Sequence, residues 1–137
     1  SGEAHALRLD SGKALEKAGE LHWSDLLLGA QLVCMGKLGD VVLARKDIAN
    51  SYHLAVCVDD AEQGVTLVTR GDDLLKSTHV HRLLQNLLGL PVPQWHHHRL
   101  LRDDGGRRFA KREESLTLSA IRESGKGADE VRCDLGF

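Results

Sequence analysis

The sequence predicts an α/β fold in which helices flank a parallel sheet. Short apolar runs at 41–45 and 65–69 have the length and composition of strands buried on both faces. A helical segment lies between them, a second one follows, and residues 93–102 are extended. This alternation of strand, helix, strand, helix and strand over residues 41–102 favours parallel pairing through helical crossovers.

The composition suits a folded domain and weighs against several classes of protein. The chain has 137 residues, 42% of them hydrophobic and 28% charged, which suits one domain or most of one. Its net charge of -2 counts mildly against a stand-alone nucleic-acid binder. No apolar run approaches the roughly 20 residues of a membrane helix, so no membrane partner is expected. Cys34, Cys57 and Cys133 form no disulfide framework or zinc pattern, which favours a reducing, cytoplasmic compartment.

The first elements along the chain are predicted to be short. Residues 7–9 can form a strand, followed by a loop or one helical turn at 11–17. Two further strands are predicted at 21–25 and 31–34. Asn50 or Ser51 is a plausible N-cap for the first helix of the alternation, which runs through the apolar residues that follow.

The strongest helix signal comes after the second apolar run. Apolar residues recur there with the period of a helix, at Val80, Leu83, Leu84, Leu87 and Leu88. Ser77 or Thr78 is expected to cap the start of this helix, and Gly89 and Pro91 to end it. Beyond the extended segment, a turn at 103–106 leads to a basic loop at 107–112, and helices are predicted from Ser115 and from Ala128.

Two residues beside the predicted strands could bind a substrate. Arg70 directly follows a predicted buried strand, and ligands of open α/β sheets lie at the carboxyl ends of the strands. An arginine there can hold a carboxylate through two charge-assisted hydrogen bonds. Tyr52, the only tyrosine, could donate to a substrate oxygen. The alternatives are a solvated arginine and a core tyrosine with its hydroxyl at the rim.

The basic loop and the histidine triplet also carry possible chemistry. Four of the six residues at 107–112 are cationic, so the loop could close over a triphosphate, or it could be an ordinary solvated turn. In His96-His97-His98, neighbours on a strand point to opposite faces, so only the outer two could converge. No metal site is predicted there.

Residues 51–60 and 64–78 together resemble the second half of the Rossmann catalytic domain of class I glutamyl-tRNA synthetases. The Leu-Gly-Leu-Pro run at 88–91, His97 and the basic loop follow in the family's order. The sequence is most similar to the short paralogue that lacks an anticodon-binding domain, glutamyl-queuosine tRNA(Asp) synthetase. The family's HIGH-type motif is absent, so the resemblance implies an incomplete domain: the second half of a Rossmann-type parallel sheet with flanking helices.

The resemblance implies an ATP-dependent ligase. Glutamate and ATP, with Mg²⁺, would form glutamyl-adenylate, and the glutamyl group would pass to the queuosine of tRNA(Asp) or to a tRNA 3′ end. Tyr52 and Arg70 match positions that bind glutamate. Lys111 matches the catalytic second lysine of the KMSKS-type loop, and Ala110 stands where a serine is usual. The whole loop would bind ATP through Arg108, Phe109, Ala110, Lys111 and Arg112.

The resemblance also implies a division of the chain. Residues 1–38 would form a connecting segment with short strands, 39–112 the half-domain ending in the KMSKS-type loop, and 113–137 a helical tail. The zinc site of the paralogue is not expected. We expect no adenylate formation by this chain alone, because half a nucleotide pocket cannot orient ATP. The alternative is a non-catalytic binding module that forms a homodimer through an exposed sheet edge.

Overall fold

The computed structural model describes the chain as two compact units, Ser1–Arg99 and Leu100–Phe137. The described residues are 6–36, 39–45, 50–102, 105–106 and 117–136. Among them, no helix is both long enough and apolar enough to cross a membrane.

The described residues of the larger unit form six strands and three α-helices. In chain order these are β1 (Ala6–Leu9), α1 (Ser11–Ala18), β2 (His22–Asp25), β3 (Gly29–Leu32), β4 (Val41–Arg45), α2 (Tyr52–Glu62), β5 (Leu67–Gly71), α3 (Leu75–Leu88) and β6 (Gln94–His98). One 3-10 turn, Asp72–Leu74, joins β5 to α3.

A four-stranded sheet with the order β3-β2-β6-β5 organises this unit. β6 pairs in parallel with both β2 and β5, whereas β3 pairs with β2 in antiparallel fashion. Helix α3 forms the crossover between β5 and β6, as a parallel pair requires. The predicted α/β fold with a parallel sheet and flanking helices is therefore confirmed.

The predicted place of β4 in the parallel series was wrong. β4 pairs with β1 in a separate antiparallel ribbon, with Leu9 opposite Val41. Only Val41 of this strand is buried, so β4 is not covered on both faces as its composition predicted. The composition of a strand reports how well it fits a pleated surface and says nothing about which distant strand will supply its hydrogen-bond partners.

Helix α2 begins where the sequence predicted. The Ser51 hydroxyl accepts a hydrogen bond from the backbone N–H of Leu54 at 3.3 Å, which satisfies one of the unpaired donors at the helix start. The helix extends to Glu62, one turn beyond the predicted apolar stretch. Of the two predicted caps, Asn50 and Ser51, the helix uses Ser51.

Helix α3 carries the apolar stripe that the sequence predicted. Val80, Leu83 and Leu84 are buried on it, and burying a leucine of this kind contributes about 1.5–3 kcal/mol. Gly89 ends the helix in the left-handed conformation, with φ of 65°, as predicted. The predicted cap at Ser77 or Thr78 was wrong, because the helix begins earlier, directly after the 3-10 turn.

Where the structure describes the smaller unit, it forms two short helices, α4 (Leu118–Glu123) and α5 (Ala128–Leu135). The Thr117 hydroxyl caps α4 by accepting from the N–H of Ala120 at 3.1 Å. At the start of α5, the Glu130 carboxylate accepts from the N–H of Gly127 at 2.7 Å. The helix predicted from Ala128 is confirmed. Residues 107–116, which include the predicted ATP loop and Ser115, lie outside the described residues.

Candidate functional site

Arg70 lies near the carboxyl end of β5 and is only 9% exposed. In the parallel pairing of β5 with β6 it stands opposite His97. The register and the overlying helix α3 therefore enclose a cationic side chain at the sheet edge where α/β proteins bind ligands.

Three buried side chains hold the Arg70 guanidinium. Its Nε donates to Nε2 of His97 at 3.2 Å. Nη1 donates to Nδ1 of His81 at 3.2 Å, and Nη2 donates to the hydroxyl of Thr78. The Thr78 hydroxyl therefore faces the sheet from within α3 and does not cap the start of the helix.

Tyr52 is a further contact of the guanidinium. Burial lowers the pKa of Arg70, while a hydrogen bond with the Tyr52 phenol and the nearby Asp60 carboxylate raise it. The Tyr52 ring packs edge-on against the His81 ring, with centroids 5.7 Å apart. Tyr52 is nevertheless 54% exposed, so it is accessible to a ligand and is not a core residue.

Asp25 anchors the other side of His97. Its Oδ2 accepts from the Nδ1 of His97 at 2.7 Å and from the backbone N–H of the same residue at 3.0 Å. Its Oδ1 accepts from the backbone N–H groups of Leu27 and Leu28. Burial alone would raise the pKa of the Asp25 carboxyl, but these hydrogen bonds lower it below its usual value.

The hydrogen-bond directions determine where the imidazole protons lie. Because the Nε–H of Arg70 can only donate, the Nε2 atom of His97 must accept. The proton of neutral His97 is then on Nδ1, where it points to the Asp25 carboxylate. The Thr78 hydroxyl lies 2.9 Å from the same His97 Nε2, so as a donor it shares the single lone pair of that atom with the Arg70 Nε–H.

The chain of hydrogen bonds continues from Arg70 through His81 to His53. His81 accepts from Arg70 through Nδ1, so its proton is on Nε2 and is donated to the Nδ1 of His53 at 3.0 Å. Burial, with the Arg70 charge, lowers the pKa of His81 to about 3, so this ring is neutral at pH 7. His53 therefore keeps its own proton on Nε2.

A cavity of about 500 Å³ adjoins this network. Tyr52 and His53 line it together with Ser51 and Ser77, and two charged residues, Asp40 and Arg45, lie on its wall. Its dimensions are in the range of small-molecule sites, which take up the apolar body of a ligand and orient it through a few polar groups.

The structure thus brings the two candidates Tyr52 and Arg70 together. Lys111 and the rest of its loop, with the candidates Arg108, Phe109, Ala110 and Arg112, lie outside the described residues. The supporting residues were not predicted as site residues, and Thr78 was expected only as a possible helix cap. They are Asp25, His53, Thr78 and His81. Asp25 could have been found, since it ends a strand as Arg70 does, and such ends converge in a parallel sheet.

The histidine triplet separates as the strand geometry requires. His97 is buried, His96 is half-buried and His98 is exposed. An acid does lie beside this strand, because the Asp25 carboxylate contacts His97. In the part of the chain that the structure describes, no group of three or more His, Cys, Asp or Glu side chains could hold a metal ion.

Comparison with known proteins decides the family. Residues 1–131 match the family model described as tRNA synthetases class I (E and Q), catalytic domain. The chain belongs to this family. The resemblance predicted from the sequence is therefore confirmed, and the family is one of aminoacyl-tRNA ligases.

Individual relatives agree with this assignment. The chain is 54% identical over 100 residues to a glutamyl-Q tRNA(Asp) synthetase of Rhodobacter capsulatus, covering 73% of this chain and 36% of that protein. It is 41% identical over 106 residues to glutamate–tRNA ligase 2 of Mesorhizobium japonicum, covering 77% and 23%. The chain thus spans a quarter to a third of the length of these relatives.

A solved structure supports the fold. The glutamate-tRNA synthetase of Elizabethkingia anophelis superposes with a TM-score of 0.59 and 30% sequence identity, over 74% of this chain and 23% of that one. The α/β arrangement described above is therefore that of a part of the class I catalytic domain.

Proposed function

We propose that this chain supplies the glutamate side of an ATP-dependent ligase that activates glutamate and transfers it to tRNA. The observation that carries the proposal is the buried Arg70 guanidinium at the carboxyl end of β5, in contact with the accessible phenol of Tyr52. Its hydrogen-bond partners His97, His81 and Thr78 are neutral, so the cation can still take an anionic ligand, with the Asp60 carboxylate nearby. The carboxylate of a glutamate side chain matches that requirement.

A count of hydrogen-bond donors suggests how a carboxylate would bind. Arg70 has five N–H groups. Three of them go to His97, His81 and Thr78, which leaves one N–H on each Nη within the described residues. The Tyr52 phenol interacts with the guanidinium as well. The two carboxylate oxygens would meet the two remaining Nη N–H groups.

The acceptor is proposed to be the queuosine of tRNA(Asp), with a tRNA 3′ end as the alternative. The support is the higher identity to the glutamyl-Q tRNA(Asp) synthetase of Rhodobacter capsulatus than to the glutamate–tRNA ligase of Mesorhizobium japonicum.

ATP is proposed to bind at the KMSKS-type loop through Arg108–Arg112, with Lys111 as its catalytic residue. We retain the division into 1–38, 39–112 and 113–137, and a cytoplasmic location, as parts of this proposal.

The test is glutamate binding to the chain, measured by chemical-shift titration. We expect the wild-type chain to bind glutamate weakly, with a Kd on the order of millimolar, because only part of the ligand is enclosed. Arg70→Lys should weaken binding by about tenfold or more, since a lysine cannot reproduce the planar fork. Tyr52→Phe should weaken it by about threefold to tenfold. The exposed Arg122→Lys is the matched control and should leave the Kd unchanged.

The result against the proposal is equal binding of glutamate and glutamine, or an Arg70→Lys variant with the wild-type Kd. ATP–pyrophosphate exchange gives a second readout. We expect none from this chain alone, and exchange by the purified chain would contradict that part of the proposal.

A second candidate function is a binding module that forms a homodimer. Within the described residues β5 is an edge strand that pairs only with β6, and its Leu67 is 44% exposed. Such an edge can pair with another chain. Light scattering after size exclusion decides between the two: a concentration-dependent dimer that Leu67→Lys abolishes supports the module, and a monomer at about 100 μM rejects it.

A further inference from the structure

Three neighbouring parallel strands each contribute one side chain to a single line of hydrogen bonds. Asp25 comes from β2, His97 from β6 and Arg70 from β5. The side chains of Asp25 and His97 are 0% and 1% exposed. A carboxylate and a guanidinium thus lie on opposite sides of one neutral imidazole, and the carboxylate and the imidazole are shielded from water.

We propose that Asp25, acting through His97, is a positioning residue for the Arg70 guanidinium. This inference rests on the proposed function of Arg70 as the carboxylate-binding group. Neither Asp25 nor His97 touches the ligand in this proposal. Their effect is on the direction in which Arg70 presents its N–H groups.

The physical basis is the tautomer of His97. Its Nδ1–H donates to the Asp25 carboxylate at 2.7 Å, which leaves the lone pair of Nε2 facing the Nε–H of Arg70 at 3.2 Å. The carboxylate cannot donate when ionised, so it selects this tautomer over the other. In the other tautomer two N–H groups would face each other, and the guanidinium would have to turn away.

Asp25 is itself held in place. The backbone N–H groups of Leu27 and Leu28 both donate to its Oδ1, at 2.8 and 3.0 Å. The carboxylate therefore cannot rotate away from His97 without leaving two backbone donors unpaired. The turn after β2 thus fixes the orientation of Asp25, Asp25 fixes that of His97, and His97 fixes that of Arg70.

The consequence concerns which edge of Arg70 can bind a ligand. His97 occupies the Nε–H, so a carboxylate cannot use the side-on edge formed by Nε and Nη. Only the end of the guanidinium that bears Nη1 and Nη2 remains, and Tyr52 contacts the guanidinium as well. The positioning pair would thus select end-on binding. A purely structural buried pair would stabilise the fold and leave the Arg70 orientation unaffected.

The test combines side-chain NMR with glutamate titration on the full 137-residue chain. In the wild type, long-range ¹H–¹⁵N correlations should show the His97 proton on Nδ1, and Arg70 should give one slowly exchanging Nε–H signal. Asp25→Asn offers an amide that can donate to His97. We expect mixed His97 tautomers, a broadened Arg70 Nε–H signal and a glutamate Kd raised about fivefold to tenfold. Asp129→Asn, an exposed change of the same kind, is the control.

Two results would overturn the inference. One is a wild-type His97 that carries its proton on Nε2, which is decisive even if Asp25→Asn fails to fold. The other is a folded Asp25→Asn variant with an unchanged Arg70 signal and unchanged Kd. Failure of the proposed function looks different: the wild-type chain would then not bind glutamate, while the His97 and Arg70 signals would still report the positioning.

Discussion

Oδ2 of Asp25 and Nδ1 of His97 lie 2.7 Å apart although the two residues are separated by 72 positions in the sequence. The contact links the end of β2 to β6, and β6 brings His97 against Arg70. A buried carboxylate therefore supports a buried cation through a neutral ring. Removing one member of such a network leaves its neighbours unpaired, so single substitutions should have large effects.

Thr78 should be more important as a hydroxyl than as an apolar side chain. It is 0% exposed, and its oxygen contacts Arg70 and His97. Thr78→Val keeps the shape and removes the oxygen, so the free energy of unfolding should fall by about 1–3 kcal/mol. Thr78→Ser keeps the hydroxyl, so its free energy of unfolding should fall by less. Urea unfolding measures both, with the exposed Thr69→Val as control. Equal losses in the Val and Ser variants would contradict the prediction.

Acid should destabilise the fold through His81. Its folded pKa is about 3, below the ordinary value of 6.5, so between these values the unfolded state binds more protons. The free energy of unfolding should therefore fall as pH falls from 6.5 toward 3, by at most about 1.4 kcal/mol per pH unit from this group. The lowered pKa of His53 acts in the same direction.

The measurement for this prediction is urea unfolding at a series of pH values from 7 to 4. His81→Gln removes the titrating group and should give a smaller loss between pH 6.5 and 4 than the wild type. The exposed His98→Gln variant is the control, and its free energy of unfolding should fall with pH as steeply as that of the wild type. The pKa of Asp25 is lowered in the folded state, so its carboxylate stabilises the fold at pH values above the unfolded carboxyl pKa. The free energy of unfolding therefore loses this contribution only as pH falls below about 4. A His81→Gln variant whose free energy of unfolding falls with pH as steeply as that of the wild type would contradict the prediction.

Two leucines on α3 should differ strongly when shortened. Leu83 is 0% exposed and Leu88 is 48% exposed. Leu83→Ala should lower the free energy of unfolding by about 2–5 kcal/mol, since it removes buried contacts and leaves a cavity. Leu88→Ala should cost less than about 1 kcal/mol, and it controls for the change in helix propensity. Comparable losses, measured by denaturant unfolding, would show that the helix packs in another rotation.

The three cysteines should differ in reactivity. Burial raises the pKa of the Cys57 thiol to about 12, from an ordinary value near 9.0. The thiolate is the reactive form, so Cys57 should resist iodoacetamide at pH 8 in the folded chain. Cys34 and Cys133 are exposed and should be alkylated. Mass spectrometry of the peptides measures this, and labelling in urea, where all three should react, is the control. Rapid labelling of native Cys57 would contradict its burial.

Local patterns were sufficient for several features of the fold and for part of the site. The 3.6-residue period identified α3, the cap of α2 was narrowed to Asn50 or Ser51, and Arg70 was expected at the end of a strand. These features depend on residues close together in the chain. β4 was placed wrongly because its partner β1 lies far from it in sequence, and apolar composition does not specify a partner.

The sequence by itself determined that the chain has an α/β fold, that it belongs to a synthetase family, and that Tyr52 and Arg70 are candidates for one site. Only the tertiary structure decided how Arg70 is held. Its contacts come from β6 and α3, and behind His97 stands Asp25 from β2. The physical reason is that a hydrogen bond requires donor and acceptor to lie within about 3 Å, and strand register rather than local pattern brings residues of distant strands to that distance.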